Sequence, residues 1–150
     1  MFRVVNLPKR EFNMLLSLVL ALFVVLSLEM FIIVKDYDSF MSWLSNMKEL
    51  NYISNNVTES EALRVFVNAN LTVYVQRVIT PFFFVIHTYF AFTKMGINKL
   101  YVYFWGAMFL AGVFMVVVQM DYFSIMFYIK IIIYISISIK LFSLNSLIKN

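Results

Sequence analysis

Residues 100–142 read LYVYFWGAMFLAGVFMVVVQMDYFSIMFYIKIIIYISISIKLF, and the fold turns on how this run is divided. A bilayer core about 30 Å thick is crossed by about 20 apolar residues in a helix rising 1.5 Å per residue. The 43 residues of the run are too many for one crossing and enough for two, and its only polar cluster near the middle is Gln119 with Asp121. A tight turn is expected there, between helices over about 100–119 and 122–142. Asp121 then stands as N-cap of the second helix, its carboxylate accepting from the free amides of the first turn.

Upstream of this pair, Lys94-Met-Gly-Ile-Asn-Lys99 forms a short link in which Gly96 suits the left-handed conformation that stops a helix. It joins residue 100 to an earlier apolar stretch over about 71–93, interrupted by Arg77, Pro81 and His87. A further stretch, about 13–34, is broken only by Ser17, Ser27 and Glu29. Arg3, Lys9 and Arg10 precede it as they would in a signal peptide, but about 20 apolar residues exceed a signal core of roughly 7 to 15, and no small-x-small cleavage pattern follows. It reads as an uncleaved anchor. The expected fold is an all-α integral membrane domain spanning residues 1–150 with four transmembrane helices.

Composition agrees. Of the 150 residues 63% are apolar and 13% charged, where a soluble domain carries roughly 25% charged residues. The absence of cysteine excludes a disulfide scaffold and a thiol redox centre. With the N-terminus inside, the cytoplasmic segments hold Arg3, Lys9, Arg10, Lys94, Lys99, Lys140 and Lys149, and the outer ones only Lys35, Lys48 and Arg64. This bias places both termini in the cytoplasm. The net charge of +4 is therefore a consequence of topology and forms no stripe for nucleic acid. Ile, Phe, Asn and Lys usage points to an AT-rich genome and fits a bacterial plasma membrane.

The first connection, residues 35–70, is long enough for structure of its own. Phe40, Trp43, Leu44, Met47 and Leu50 fall at helical spacing among polar residues, which predicts an amphipathic helix on the outer face with Trp43 at headgroup depth. Phe40, Trp43, Leu44 and Met47 are its candidate interaction surface; the alternative is a lid over the bundle end. After the polar break 51–57, Thr58 and Glu61 have the spacing of a capping box, so another helix starts there and leads through or around Asn68-Ala-Asn70 into the second span.

Ionisable groups inside hydrocarbon need a partner or a watery cavity. Glu29 and Arg77 both fall about 8 Å below the outer interface, so their matched depths predict an ion pair between the first two spans. Gln76, Arg77, Thr80, His87 and Thr88 share one face of roughly 120° on the second span. His87, the one histidine, is suited to bridging helices, with proton transfer or haem ligation as the sharper alternatives. Lys130 sits eight residues into the fourth span, with Tyr134 and Ser138 on its stripe. Glu29, Arg77, Thr80, His87, Lys130 and Tyr134 thus form the candidate intramembrane polar site. On the third span, Ala107 and Ala111 have small-xxx-small spacing, and Tyr101, Tyr103 and Trp105 fit an interfacial aromatic belt.

No catalytic constellation, metal-ligand cluster or phosphate-binding loop is present in the sequence, and no cofactor is expected. The chain is expected to be no enzyme. Its expected role is that of an accessory, regulatory or immunity-type interaction subunit of a larger membrane complex. Its partners are then membrane lipid and a membrane protein or further copies of itself, with no nucleic acid. The alternative is an oligomeric transporter or proton and ion permeation subunit using the intramembrane polar residues.

Overall fold

The computed structural model describes residues 4–54, 56–118 and 124–149. The chain is all-helical, with 86% helix and no strands among the described residues. In order, α1 is Lys9–Lys35, α2 Tyr37–Glu49, α3 Glu59–Phe90, α4 Lys99–Val118, α5 Ile125–Ser143 and α6 the short Asn145–Lys149. One wider turn, Ala91–Met95, continues α3 to Gly96. Four helices are long and apolar enough to cross a membrane, with the second and fourth candidates extending over Glu59–Met95 and, through α6, Ile125–Ile148. The chain is therefore an integral membrane protein by length and composition. The turn expected at Gln119 and Asp121 lies outside the described residues. Beyond it α5 starts at Ile125, later than the expected 122, after Ser124 in extended conformation.

Contacts divide the chain into two units. The first is Leu26–Val78. Here α1 hands over to α2 through Asp36 alone, whose carboxylate accepts from the Asp38 amide at 3.3 Å and from the Ser39 hydroxyl. At the other end of α2, Asn51 takes φ 57°, the left-handed conformation that asparagine tolerates best after glycine, and the Tyr52 amide returns to the Met47 carbonyl at 2.9 Å. The capping box forms at the next helix: the Thr58 amide donates to Glu61 Oε2 at 3.1 Å and the Glu61 amide to Thr58 Oγ1 at 3.4 Å. From there α3 runs through Asn68 and Asn70 without a break, its polar side chains turned onto its own carbonyls, as in Asn70 Nδ2 to Phe66 O at 2.9 Å.

The apolar face of α2 is turned into this unit. Phe40 and Leu44 are buried with Ala62 and Phe66, and Trp43 packs on Phe66 with ring centroids 5.3 Å apart. Each buried phenylalanine contributes about 2–3 kcal/mol where the alternative is water. Of the surface expected at Phe40, Trp43, Leu44 and Met47, Phe40 and Leu44 are therefore spent on an internal core and Trp43 is half-buried against it, while Met47 is half-buried. The outward residues are Tyr37, Met41, Leu50 and Tyr52.

The second unit holds residues up to Val25 and from Ile79 onward. Its core is aromatic: Phe84 meets Phe109 edge-on at 5.0 Å and Trp105 at 5.2 Å. Helices α4 and α5 pack together, and α6 lies on both. A Cβ on Gly106 would stand 2.7 Å from Phe142 Cζ, and one on Gly112 2.5 Å from Tyr134 Cε1. The close approach on α4 is thus made by Gly106 and Gly112, and the expected Ala107 and Ala111 are exposed instead. Between lipid-soluble helices this fit replaces the hydrophobic effect as the source of attraction. The N-terminal segment crosses the α3–α4 link: Val5 and Ile97 exchange amide hydrogen bonds of 2.9 and 2.7 Å, and Gly96 stands at φ 69° beneath Val4 and Val5.

Candidate functional site

In the Leu26–Val78 unit the pair expected from matched depth is formed. Arg77 Nη1 lies 3.1 Å from Glu29 Oε2, with the Glu29 side chain 9% and the Arg77 side chain 27% exposed. The helices that carry these residues hold each other in rotation by a second polar contact, Ser27 Oγ with the Tyr74 hydroxyl at 3.0 Å. Glu29 is two residues beyond Ser27 and Arg77 three beyond Tyr74, so both contacts lie within one turn of each helix and act as one clasp. Pro81, one turn after Arg77, has no amide to donate to the Arg77 carbonyl, which weakens the helix just beyond the clasp. Farther out, the Tyr37 hydroxyl donates to Glu59 Oε1 at 3.1 Å, and this bond together with the carboxylate charge raises the phenol above its ordinary pKa.

The other expected residues belong to the second unit. His87 Nδ1 accepts from Trp105 Nε1 at 2.9 Å. An indole can only donate, so Nδ1 carries no hydrogen and the proton of the neutral ring is on Nε2. This bears on haem ligation. A ligating Nε2 must give up its proton, and Nδ1 must then donate to a carbonyl or carboxylate; facing an indole N–H, it cannot. The geometry therefore suits a hydrogen bond between α3 and α4 and does not fit an axial ligand. Beside it, Thr88 Oγ1 bonds the Tyr101 hydroxyl and the Phe84 carbonyl, both at 2.6 Å, and the Tyr101 ring lies edge-on to His87 at 5.2 Å. Thr80, two turns back on α3, is half-buried, and Gln76, expected on the same face, is exposed.

Lys130 is buried on α5, one turn before the buried Tyr134. Ser138 completes the stripe by donating to the Tyr134 carbonyl at 2.9 Å. No protein-family model, curated protein or solved structure matches this chain. The site must be read from its own geometry.

Five polar contacts in this unit were not expected from the sequence. Trp105 and Tyr101 had been placed in an outward aromatic belt, but both are buried with their polar tips on α3. The signal was available in their i, i+4 spacing, which puts two aromatic donors on one face opposite a helix carrying His87 and Thr88. Tyr103 alone of the three faces outward, its hydroxyl accepting from Asn145 Nδ2 at 3.0 Å. Asn98 caps α4, its Oδ1 accepting from the Tyr101 amide at 2.8 Å. Lys140 Nζ lies on Glu11 Oε2 in an ion pair, at an angle outside that of a hydrogen bond. Among the described residues no group of three His, Asp or Glu is placed to hold a metal ion.

Proposed function

We propose that this protein is a small four-span subunit of a bacterial plasma membrane that works by binding a larger membrane protein, in an accessory, regulatory or immunity-type role. The observation that carries the reading is the outward face of α4. Ala107 and Ala111 are exposed there at i, i+4 spacing, on the side away from Gly106 and Gly112. Small residues facing lipid let another helix backbone come close, where dispersion contacts and not hydrophobicity drive association. The polar groups support the same reading. Arg77 is engaged with Glu29, His87 with Trp105 and Thr88 with Tyr101, so they serve to fix helices in register and leave the outer surface for association.

The proposed topology has both termini and the 91–98 link in the cytoplasm and the α2 segment outside. Seven of twelve basic residues then lie inside. Two contacts favour one side for these parts: Val5 pairs with Ile97, and Glu11 with Lys140. Affinity purification in mild detergent tests the function. A stoichiometric membrane-protein partner is expected, and Ala107→Leu with Ala111→Leu should release it while leaving the protein monodisperse. Recovery of the wild-type chain alone, or a partner retained by the double variant, would refute this docking face.

A further inference from the structure

Within the Leu26–Val78 unit a recess of about 40 Å³ opens beside the Glu29–Arg77 clasp. Met30, Ile33 and Val73 form its apolar side, and Asn70, Tyr74 and Arg77 its polar side. We infer that this recess is a water site, occupied by one to about three molecules that hydrate the ion pair from within the span. The inference rests on the membrane-spanning reading and goes beyond it, because it assigns a ligand to a place inside the helix pair.

Size and chemistry both select water. A single molecule needs roughly 10–15 Å³ of such space and two to four polar partners, whereas an apolar cavity stays dry. Asn70 has given its amide hydrogen to the Phe66 carbonyl, which leaves Oδ1 as an acceptor. Tyr74 shares one hydrogen bond with Ser27, and a hydroxyl can make more. Arg77 brings a fork of five N–H donors, with its side chain about a quarter open. An acyl chain would leave these groups facing hydrocarbon. A phosphate would be repelled by Glu29, which at 3.1 Å already supplies the negative charge that the guanidinium attracts. Water alone satisfies an acceptor, a hydroxyl and a donor fork together. It also hydrates the pair at a depth where dry charges are costly.

Thiol chemistry provides the test. A charged methanethiosulfonate reacts with the thiolate, which forms in contact with water and not in hydrocarbon. Met30→Cys, half-buried, and Val73→Cys, 41% exposed, place single thiols on the wall of the recess from two different helices. Leu28→Cys and Val75→Cys, two residues away from each on the same helices, are exposed outside it and serve as lipid-facing controls. In proteoliposomes, at least one recess thiol should react about tenfold faster or more than its control. Equal slow rates at all four positions would overturn the water site. Fast reaction at the controls would overturn the membrane-spanning reading itself, so the two failures are distinguishable.

Discussion

A guanidinium in an apolar helix lowers its free energy either by reaching up to water or by finding a carboxylate. Arg77 has taken the carboxylate, and the cost of desolvating both ions is recovered only while both are present. Glu29→Gln and Arg77→Gln should therefore each lower stability in detergent by about 1–3 kcal/mol, read as a fall in thermal midpoint. Exchanging the two residues should restore part of the loss, whereas additive losses in the exchanged protein would show that the groups act separately. The pair was legible in the sequence because depth follows from counting residues along a helix. His87 shows the opposite case. Its partner depends on the rotation of α4 relative to α3, which no count supplies, and Trp105 reads equally well as an interfacial aromatic until that rotation is known.

Helix against helix, the decisive residues are those without side chains. Gly112 receives the flank of the buried Tyr134 ring, while Gly106 receives the far end of the exposed Phe142. A methyl group added at the two positions should act differently. Gly112→Ala must displace a ring held on all sides and should cost about 1–3 kcal/mol. Gly106→Ala only requires Phe142 to swing outward, and the gain in helix propensity of about 1 kcal/mol makes it neutral or stabilising. Thermal midpoints of the two single variants give the comparison, and equal losses would refute the role assigned to the rings. Gly96 is a different case, since at φ 69° its constraint is the backbone, with Val5 O only 2.9 Å from where a Cβ would be. Gly96→Ala should cost about 1–2 kcal/mol and release the Val5–Ile97 pairing, seen as faster amide exchange at Val5 and Ile97. Sequence reading gave Gly96 its conformation but not its neighbour, because a two-residue pairing far apart in the chain has no periodicity to detect. It gave α2 its apolar face for the opposite reason, since the spacing of Phe40 and Leu44 is regular, yet what that face meets is decided by Ala62 and Phe66 on another helix.

For the molecule as a whole, length settles more than pattern. Four apolar helices follow from residue counts alone, and so does the protrusion of α3: the 37 residues of Glu59–Met95 extend roughly 55 Å, nearly twice the hydrocarbon core. Such a helix is longer than one crossing needs, and its first turns carry Ala62 and Phe66 into the α2 core. Sequence reading treated residues 35–70 as a connection because their polar residues lower the local hydropathy, although a helix pays nothing for polar side chains once it has left the lipid. Which end emerges on which side is then a matter of charge, and it can be measured directly because the chain has no cysteine. Ser54→Cys reports the α2–α3 turn and Ser146→Cys the C-terminal helix. For the α3–α4 link Met95→Cys is preferable to Asn98→Cys, since Met95 is exposed whereas the Asn98 side chain caps α4. An impermeant maleimide added to intact cells should label Ser54→Cys alone, and Met95→Cys and Ser146→Cys should react only after permeabilisation. Labelling of the latter two from outside with Ser54→Cys protected would invert the topology. Labelling of Met95→Cys and Ser146→Cys from opposite sides would break the hairpin formed by α4 and α5.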